Sequence, residues 1–305
     1  MLTDSLPENR QDIVFITVIL LPLIILVGIL IYLPAVDSLI VSFTNENLRI
    51  RRLPKFIWLE NYSKLLENSE FWIVTARSLL VVALTLPLEL LISLGLALLL
   101  TEVFPGRAMV RTLVLLPWML PPIVNGFLWG WLLNGEYGAL NGLLYQLGII
   151  DEYVTWLRNP DTQVIWVAVV QTWTRFAFPT IILLAGLQSI PKDLIDAAKV
   201  DGASSWQSFK SIVLPLLMPS FAIALTIEFI AAFQIFDVIW TLTAGGSAGG
   251  AINPFTKTLM LYNYELVFRD LRIGLGAALS YLILFLSLGV AIVFVTRLYN
   301  QAVKS

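Results

Sequence analysis

The chain has no cysteine and no histidine. The first absence excludes disulfides, thiol nucleophiles and zinc fingers; the second excludes Ser-His triads, HExxH sites and imidazole haem ligation. Charge is scarce as well: charged residues make up 13% of the sequence, against about 25% in soluble domains. A net charge of −2 offers no concentrated basic face for nucleic acid. There is no GxxxxGK[ST] segment, so the chain carries no phosphate-binding P-loop. Metal or acid–base chemistry would fall to carboxylates alone.

Apolar residues are abundant: 58% of 305 residues, with a mean hydropathy of +0.84. A hydrocarbon core of about 30 Å needs about 20 apolar residues per helix. Six runs meet that length, at residues 13–40, 73–100, 112–133, 164–187, 214–242 and 273–295. Strand-like alternation is absent, so the expected fold is all-α: a polytopic membrane protein with six transmembrane helices in one domain, 1–305. The run after the polar N-terminus is too long for a signal peptide and reads as an uncleaved first span.

Pro117, Pro121 and Pro122 cluster in the third run and suggest that it is bent. Residues 41–72 and 134–163 are aromatic-rich loops suited to the interface. Residues 101–111 turn at Pro105-Gly106, and residues 243–272 begin with a glycine-rich stretch. Charge does not orient the chain: loop Lys and Arg divide eight to nine between the two sides.

The segment 188–213 differs from every other loop. Pro191 suits the first turn of a helix. Leu194, Ile195 and Ala198 then share one face, with Asp193, Asp196 and Lys199 turned to water. Gly202 is placed to close that helix. A second amphipathic turn carries Trp206, Phe209 and Ile212, and Leu214-Pro215 opens the next span.

Ionisable residues inside spans are costly and become functional candidates. Asp37 and Arg77 lie near span ends, within reach of interfacial water. Glu89, beside Pro87, reads as a structural hydrogen-bond anchor. Arg175, Glu228 and Asp237 are deeper. Glu228 and Asp237 are two and a half turns apart, so they do not share one stripe; one can neutralise Arg175 while the other does something else.

The pattern Asp196-Ala197-Ala198, three residues, Gly202, nine residues, Ile212-Val213-Leu214-Pro215 resembles the EAA loop of ABC importer permeases, with Asp in place of the usual Glu. The resemblance runs over nearly the whole chain. It includes Trp58-Leu59-Glu60-Asn61-Tyr62, Leu115-Leu116-Pro117, Leu187-Gln188-Ser189-Ile190-Pro191, Phe236-Asp237 and Gly274-x-Gly276-Ala277-Ala278. Together these resemble the carbohydrate-uptake branch of type I importers, the maltose-transporter type. The resemblance implies a cytoplasmic loop at 188–213, seated on an ATPase through Asp196, Ala197, Ala198, Asp201, Gly202 and Ala203. Both termini would then lie inside, in a bacterial or archaeal cytoplasmic membrane. It also implies a second homologous permease chain, an ATPase dimer that binds ATP and Mg, and an extracytoplasmic solute-binding protein. No cofactor is implied for this chain, and no enzymatic site.

By the same resemblance, sugar-contact positions fall on Thr174, Arg175, Phe178, Glu228, Ala231, Ala232, Ile235 and Asp237, several of them differing in identity from the family. Carboxylates and Arg suit vicinal hydroxyls, and aromatic faces suit sugar C–H faces. Arg175 also suits an anionic solute, such as a uronate oligosaccharide or a glycerophosphodiester. An autonomous secondary transporter would show internal repeats, which are not evident here. A membrane enzyme would want paired acids at helical spacing, which are also missing.

Overall fold

A computed structural model describes residues 8–50, 53–158, 160–244 and 254–304. Arg51, Arg52, Asn159, residues 1–7 and the glycine-rich stretch 245–250 lie outside the described residues. The chain falls into two compact units, residues 1–67 with 264–282 and residues 68–263 with 283–305.

Among the described residues, four helices are long and apolar enough to cross a membrane: Phe15–Ser42, Ser69–Thr101, Ser205–Phe233 and Ile273–Arg297. Two bent helix pairs bring the number to six, each pair taken as one span. Arg107–Met119 turns by 95° into Pro122–Leu132, and Thr162–Arg175 turns by 50° into Ala177–Gln188. The all-α expectation therefore holds, with the third span bent where its prolines cluster.

Proline accounts for these irregularities through the N–H it lacks. In the fourth span Pro179 cannot donate to the carbonyl of Arg175, and the helix breaks at Phe176, between Arg175 and Ala177. In two other spans the ladder adjusts without breaking. The π-helical stretches Gly28–Tyr32 and Phe209–Val213 each end one residue before a Leu-Pro pair, Leu33-Pro34 and Leu214-Pro215. There the leucine N–H reaches back five residues, to Gly28 and to Phe209.

Two span boundaries differ from those read in the sequence. The fifth span begins at Ser205 rather than at Leu214, because Ser204 and Gln207 form a reciprocal capping box. The turn bearing Trp206 and Phe209 is thus the start of that span, not a separate element. The same span stops at Phe233 rather than at Leu242. Its chain opens over Gln234–Phe236, then resumes as Asp237–Ile239 and a π turn, Trp240–Ala244. Apolar composition ran through this opening and concealed it.

In the first unit, two of the motif segments turn out to be packing partners. Asn61 is buried and donates from Nδ2 to the carbonyls of Ser42 and Thr44, both at 2.8 Å. Gly274 donates to the carbonyl of Glu46, and a Cβ on it would lie 2.1 Å from the oxygen of Thr44. Only glycine permits that approach.

In the second unit, spans two, four and five form the packed centre. Lipid is as apolar as leucine, so close packing rather than water exclusion holds such helices together. Gly186, in the last turn of the fourth span, meets Ser220 of the fifth so closely that a Cβ would sit 2.4 Å from its Oγ. Leu183, Leu187 and Ile190 pack there with Val213, Leu217 and Ala97. Towards the other end of the fourth span, Val167 and Val170 pack with Ile235, Val238 and Ile239. The turn between spans two and three is locked by Arg107, whose Nε and Nη2 donate to the carbonyl of Leu100 at 2.8 and 2.5 Å.

Candidate functional site: a polar cavity and a projecting helix

Three helix interruptions converge on one polar cavity. These are the start of the second half of span three at Pro122, the end of the first half of span four at Arg175, and the opening of span five at Gln234–Phe236. A cavity of about 240 Å³ is lined by residues from all three. Backbone groups freed at such breaks must find other partners in a membrane. Asn125, buried, donates from Nδ2 to the carbonyl of Pro117 at 3.0 Å. Ser93 of span two donates to the carbonyl of Phe176 at 2.8 Å. Thr258 reaches the carbonyl of Ile235 at 3.4 Å. Side chains thus bond a backbone carbonyl at each of the three interruptions.

Five of the eight positions expected to contact solute line this cavity: Thr174, Arg175, Ala231, Ile235 and Asp237. The other three do not. Phe178 faces Trp118, with ring centroids 5.8 Å apart. Ala232 is buried in packing. Glu228 is completely buried and is engaged by Arg175, whose Nε and Nη2 donate to Oε2 and Oε1 at 2.6 and 3.2 Å. The choice of partner left open by the sequence is thus made: Glu228 pairs with Arg175, while Asp237 stays exposed at the cavity.

The Arg175 side chain is 25% exposed and Glu228 is not exposed at all, so the pair bridges packed interior and cavity wall. Thr174 spends its hydroxyl on the carbonyl of Val170, at 2.8 Å. Two polar lining residues escaped the sequence reading, Gln171 and Gln234. Gln171 stands three and four residues before Thr174 and Arg175, so helical spacing alone could have found it. Gln234 lies at the helix opening and carried no advance signal.

Glu89 of the second span is fully buried and shares a side-chain hydrogen bond with Glu228.

The second feature is the helix Lys192–Val200, which follows Pro191 as expected. It stops at Asp201, and Gly202 takes the left-handed φ of +80°. Ala203 N–H then donates to the carbonyl of Ala198 at 2.9 Å, and Gly202 N–H to Lys199 at 3.1 Å. These bonds satisfy orphan carbonyls at the helix end. Ile195 packs against the apolar cluster at the span-four and span-five crossing. The rest of the segment is open: Asp196, Ala197, Asp201 and Gly202 are exposed, Ala198 and Ala203 half-buried. Asp196 pairs with Lys199 at 3.0 Å. Large apolar side chains stand out around the turn, Val200 at 88% and Trp206 at 69% exposure.

Residues 89–305 match the family described as "Binding-protein-dependent transport system inner membrane component". The chain is 37% identical over 275 residues to the trehalose/maltose transport system permease protein MalF of Thermococcus litoralis, covering 90% of each. It is 34% identical to the sulfoquinovosyl glycerol transport system permease protein SmoG of Agrobacterium fabrum, over 90% of this chain and 87% of that one. Its fold is similar to a chain of a bacterial ABC transporter involved in the import of the acidic polysaccharide alginate. That match has a TM-score of 0.76 and 23% identity, over 97% of this chain and 98% of that one. The chain belongs to the binding-protein-dependent transport system inner membrane component family.

Proposed function

We propose that this chain is a permease subunit of an ATP-binding cassette importer that carries a carbohydrate or related polyol across the cytoplasmic membrane. The supporting observation is mechanical. The fourth span joins the polar cavity at Thr174 and Arg175 to the exposed helix at Lys192–Val200, with only Ser189–Pro191 between Gln188 and Lys192. A push on that helix is transmitted through the Gly186–Ser220 crossing to spans four and five, which hold the cavity walls.

In this reading Asp196, Ala197, Ala198, Asp201, Gly202 and Ala203 seat on a partner ATPase, which binds ATP and Mg. A second homologous permease completes the pathway, and an extracytoplasmic binding protein delivers the solute. The seating of the loop puts both termini in the cytoplasm. The chain itself performs no hydrolysis.

A neutral solute fits better than an anionic one. The cavity's cation, Arg175, is held by Glu228 at 2.6 Å, while Asp237 adds an exposed carboxylate. Gln171, Gln234, Arg175 and Asp237 supply the donor and acceptor forks that hydroxyl pairs need. The test is reconstitution of the complete transporter in proteoliposomes with its binding protein. ATP-dependent uptake of a neutral oligosaccharide in preference to a uronate oligosaccharide is expected. Preference for the uronate would overturn the neutral assignment, and uptake by this chain without an ATPase would overturn the importer reading.

A further inference from the structure

A second cavity of about 240 Å³ lies apart from the polar one around Arg175, between spans two, three and four. Its walls grade from polar to apolar along the helices. On span three, Arg111 lines the cavity, and Val114 and Leu115 follow three and four residues deeper on the same helix face. On span four, Gln188 ends the helix, while Leu184 and Thr180 stand behind it at four-residue steps. The helical rise from Thr180 to Gln188 makes that wall about 12 Å long. Thr180 offers no free donor, because its hydroxyl bonds the carbonyl of Phe176 at 2.7 Å. Span three begins and span four ends at this mouth, on the side from which the helix Lys192–Val200 projects. The cavity thus has a polar mouth at the level of the span ends and an apolar floor among the helices.

Arg111 is the charge at that mouth, and nothing in the described chain answers it. Its Nε is buried without a hydrogen-bond partner. No carboxylate pairs with it among the described residues. Arg107, one turn earlier on the same helix, differs: its Nε and Nη2 close on the carbonyl of Leu100. A buried donor left unsatisfied costs stability, more so on a charged group, and an ionisable side chain beside a span is a functional candidate. The ligand that completes this cavity carries an oxyanion at one end and hydrocarbon at the other. A free phosphate or a partner's carboxylate would answer Arg111 and leave the apolar floor empty. A basic pocket between helices at the membrane edge suits an anionic lipid headgroup.

We propose that this cavity binds an anionic phospholipid. The lipid phosphate sits on Arg111, which turns toward it and offers Nε and Nη2 as a fork, with the Gln188 amide as a second donor. One acyl chain follows Val114, Leu115 and Leu184 inward. Gln188 and Ile181 are exposed, so the lipid enters sideways from the bilayer. Once bound, it ties the start of span three to the end of span four, beside the connection Ser189–Pro191 that leads to the projecting helix. Such a site requires only that these spans lie in a membrane, whatever solute the chain carries.

The test is native mass spectrometry of the complete transporter, delipidated in detergent and titrated with phosphatidylglycerol, phosphatidylcholine or inorganic phosphate. Wild type is compared with Arg111→Gln, Arg111→Lys and Leu184→Trp. Wild type is expected to hold a phosphatidylglycerol that Arg111→Gln binds about tenfold more weakly, while phosphatidylcholine binding changes little. Arg111→Lys keeps the charge and should weaken the lipid less. Leu184→Trp fills the apolar floor and should displace the same lipid without touching the cation. Should Arg111→Gln fail to assemble, Leu184→Trp decides: loss of that lipid supports the site and its retention refutes it. Equal phosphatidylglycerol binding by wild type and Arg111→Gln overturns the proposal. Inorganic phosphate bound as tightly as the lipid overturns the lipid as ligand. Arg111→Gln complexes that shed a subunit but keep their lipid reveal a subunit contact at Arg111, and overturn it as well.

Discussion

Replacing Gly186 by alanine perturbs the joint on which the proposed coupling depends. The added Cβ would lie 2.4 Å from Ser220 Oγ, 2.7 Å from Ser220 Cβ and 2.9 Å from Leu217 Cδ1. The first two atoms belong to a short side chain fixed to its helix, so spans four and five must separate. Overpacking of this kind costs roughly 1–3 kcal/mol. It is opposed by alanine's better helix propensity, about 1 kcal/mol over glycine. On this balance the net loss reaches up to about 2 kcal/mol, with a centre of about 1 kcal/mol. Ser220→Gly removes both close contacts and leaves the flexible Leu217 methyl to adjust. Alone, Ser220→Gly costs about 0.5 kcal/mol in propensity. The double variant should therefore recover to near wild type, a strongly non-additive outcome for two residues in contact. Thermal denaturation of the detergent-purified transporter reads the stability, and solute-stimulated ATP hydrolysis reads the coupling. Gly186→Ala should lower both, and Ser220→Gly added to it should raise both. A Gly186→Ala complex as stable as wild type, or losses that simply add in the double variant, would refute this account of the crossing.

Three further outcomes follow from the same geometry. Arg175→Met should destabilise the complex by about 3–5 kcal/mol, as loss of one partner in a buried pair does, because it leaves Glu228 without its cation. Glu228→Gln should cost clearly less, since Arg175 is partly exposed to the cavity; a thermal series in which Glu228→Gln is the worse variant would contradict this. Gly202→Val forces a branched residue to φ +80°, where the strain is roughly 1–2 kcal/mol, although no neighbour lies within 4 Å of the new Cβ. Membrane insertion should be normal and solute-stimulated hydrolysis abolished, so normal coupled hydrolysis would sink the assignment of the loop. Gln171→Ala and Gln234→Ala should each raise the KM for uptake while leaving ATP hydrolysis without solute unchanged; an unaltered KM in both would remove these residues from the solute wall.

Much of the site was legible before any coordinates, and the exceptions have physical causes. The helix at Lys192–Val200 and its glycine stop were readable because Pro191, the amphipathic spacing and Gly202 all act within a few residues. The bend in the third span was readable for the same reason, since Pro121 and Pro122 break the ladder locally. The opening at Gln234–Phe236 was hidden, because Ile235 and Phe236 are as apolar as the helix around them. Nothing local there announces that Thr258, distant in sequence, accepts the task of bonding the freed carbonyl of Ile235.

Composition and local chemistry by themselves settled that this is an all-helical chain with apolar spans, that its third apolar run bends at its prolines, and which polar segment projects from it. Those features depend on hydropathy, missing proline N–H groups and glycine backbone freedom, all encoded within a turn or two. Tertiary structure alone decided that Arg175 belongs to Glu228 and not to Asp237, that Glu89 is buried beside that pair, and that Gln171 and Gln234 share a cavity wall. Each of these depends on how two or three helices cross. A crossing is fixed by the contact of distant small residues such as Gly186 and Ser220, which no single stretch of sequence contains.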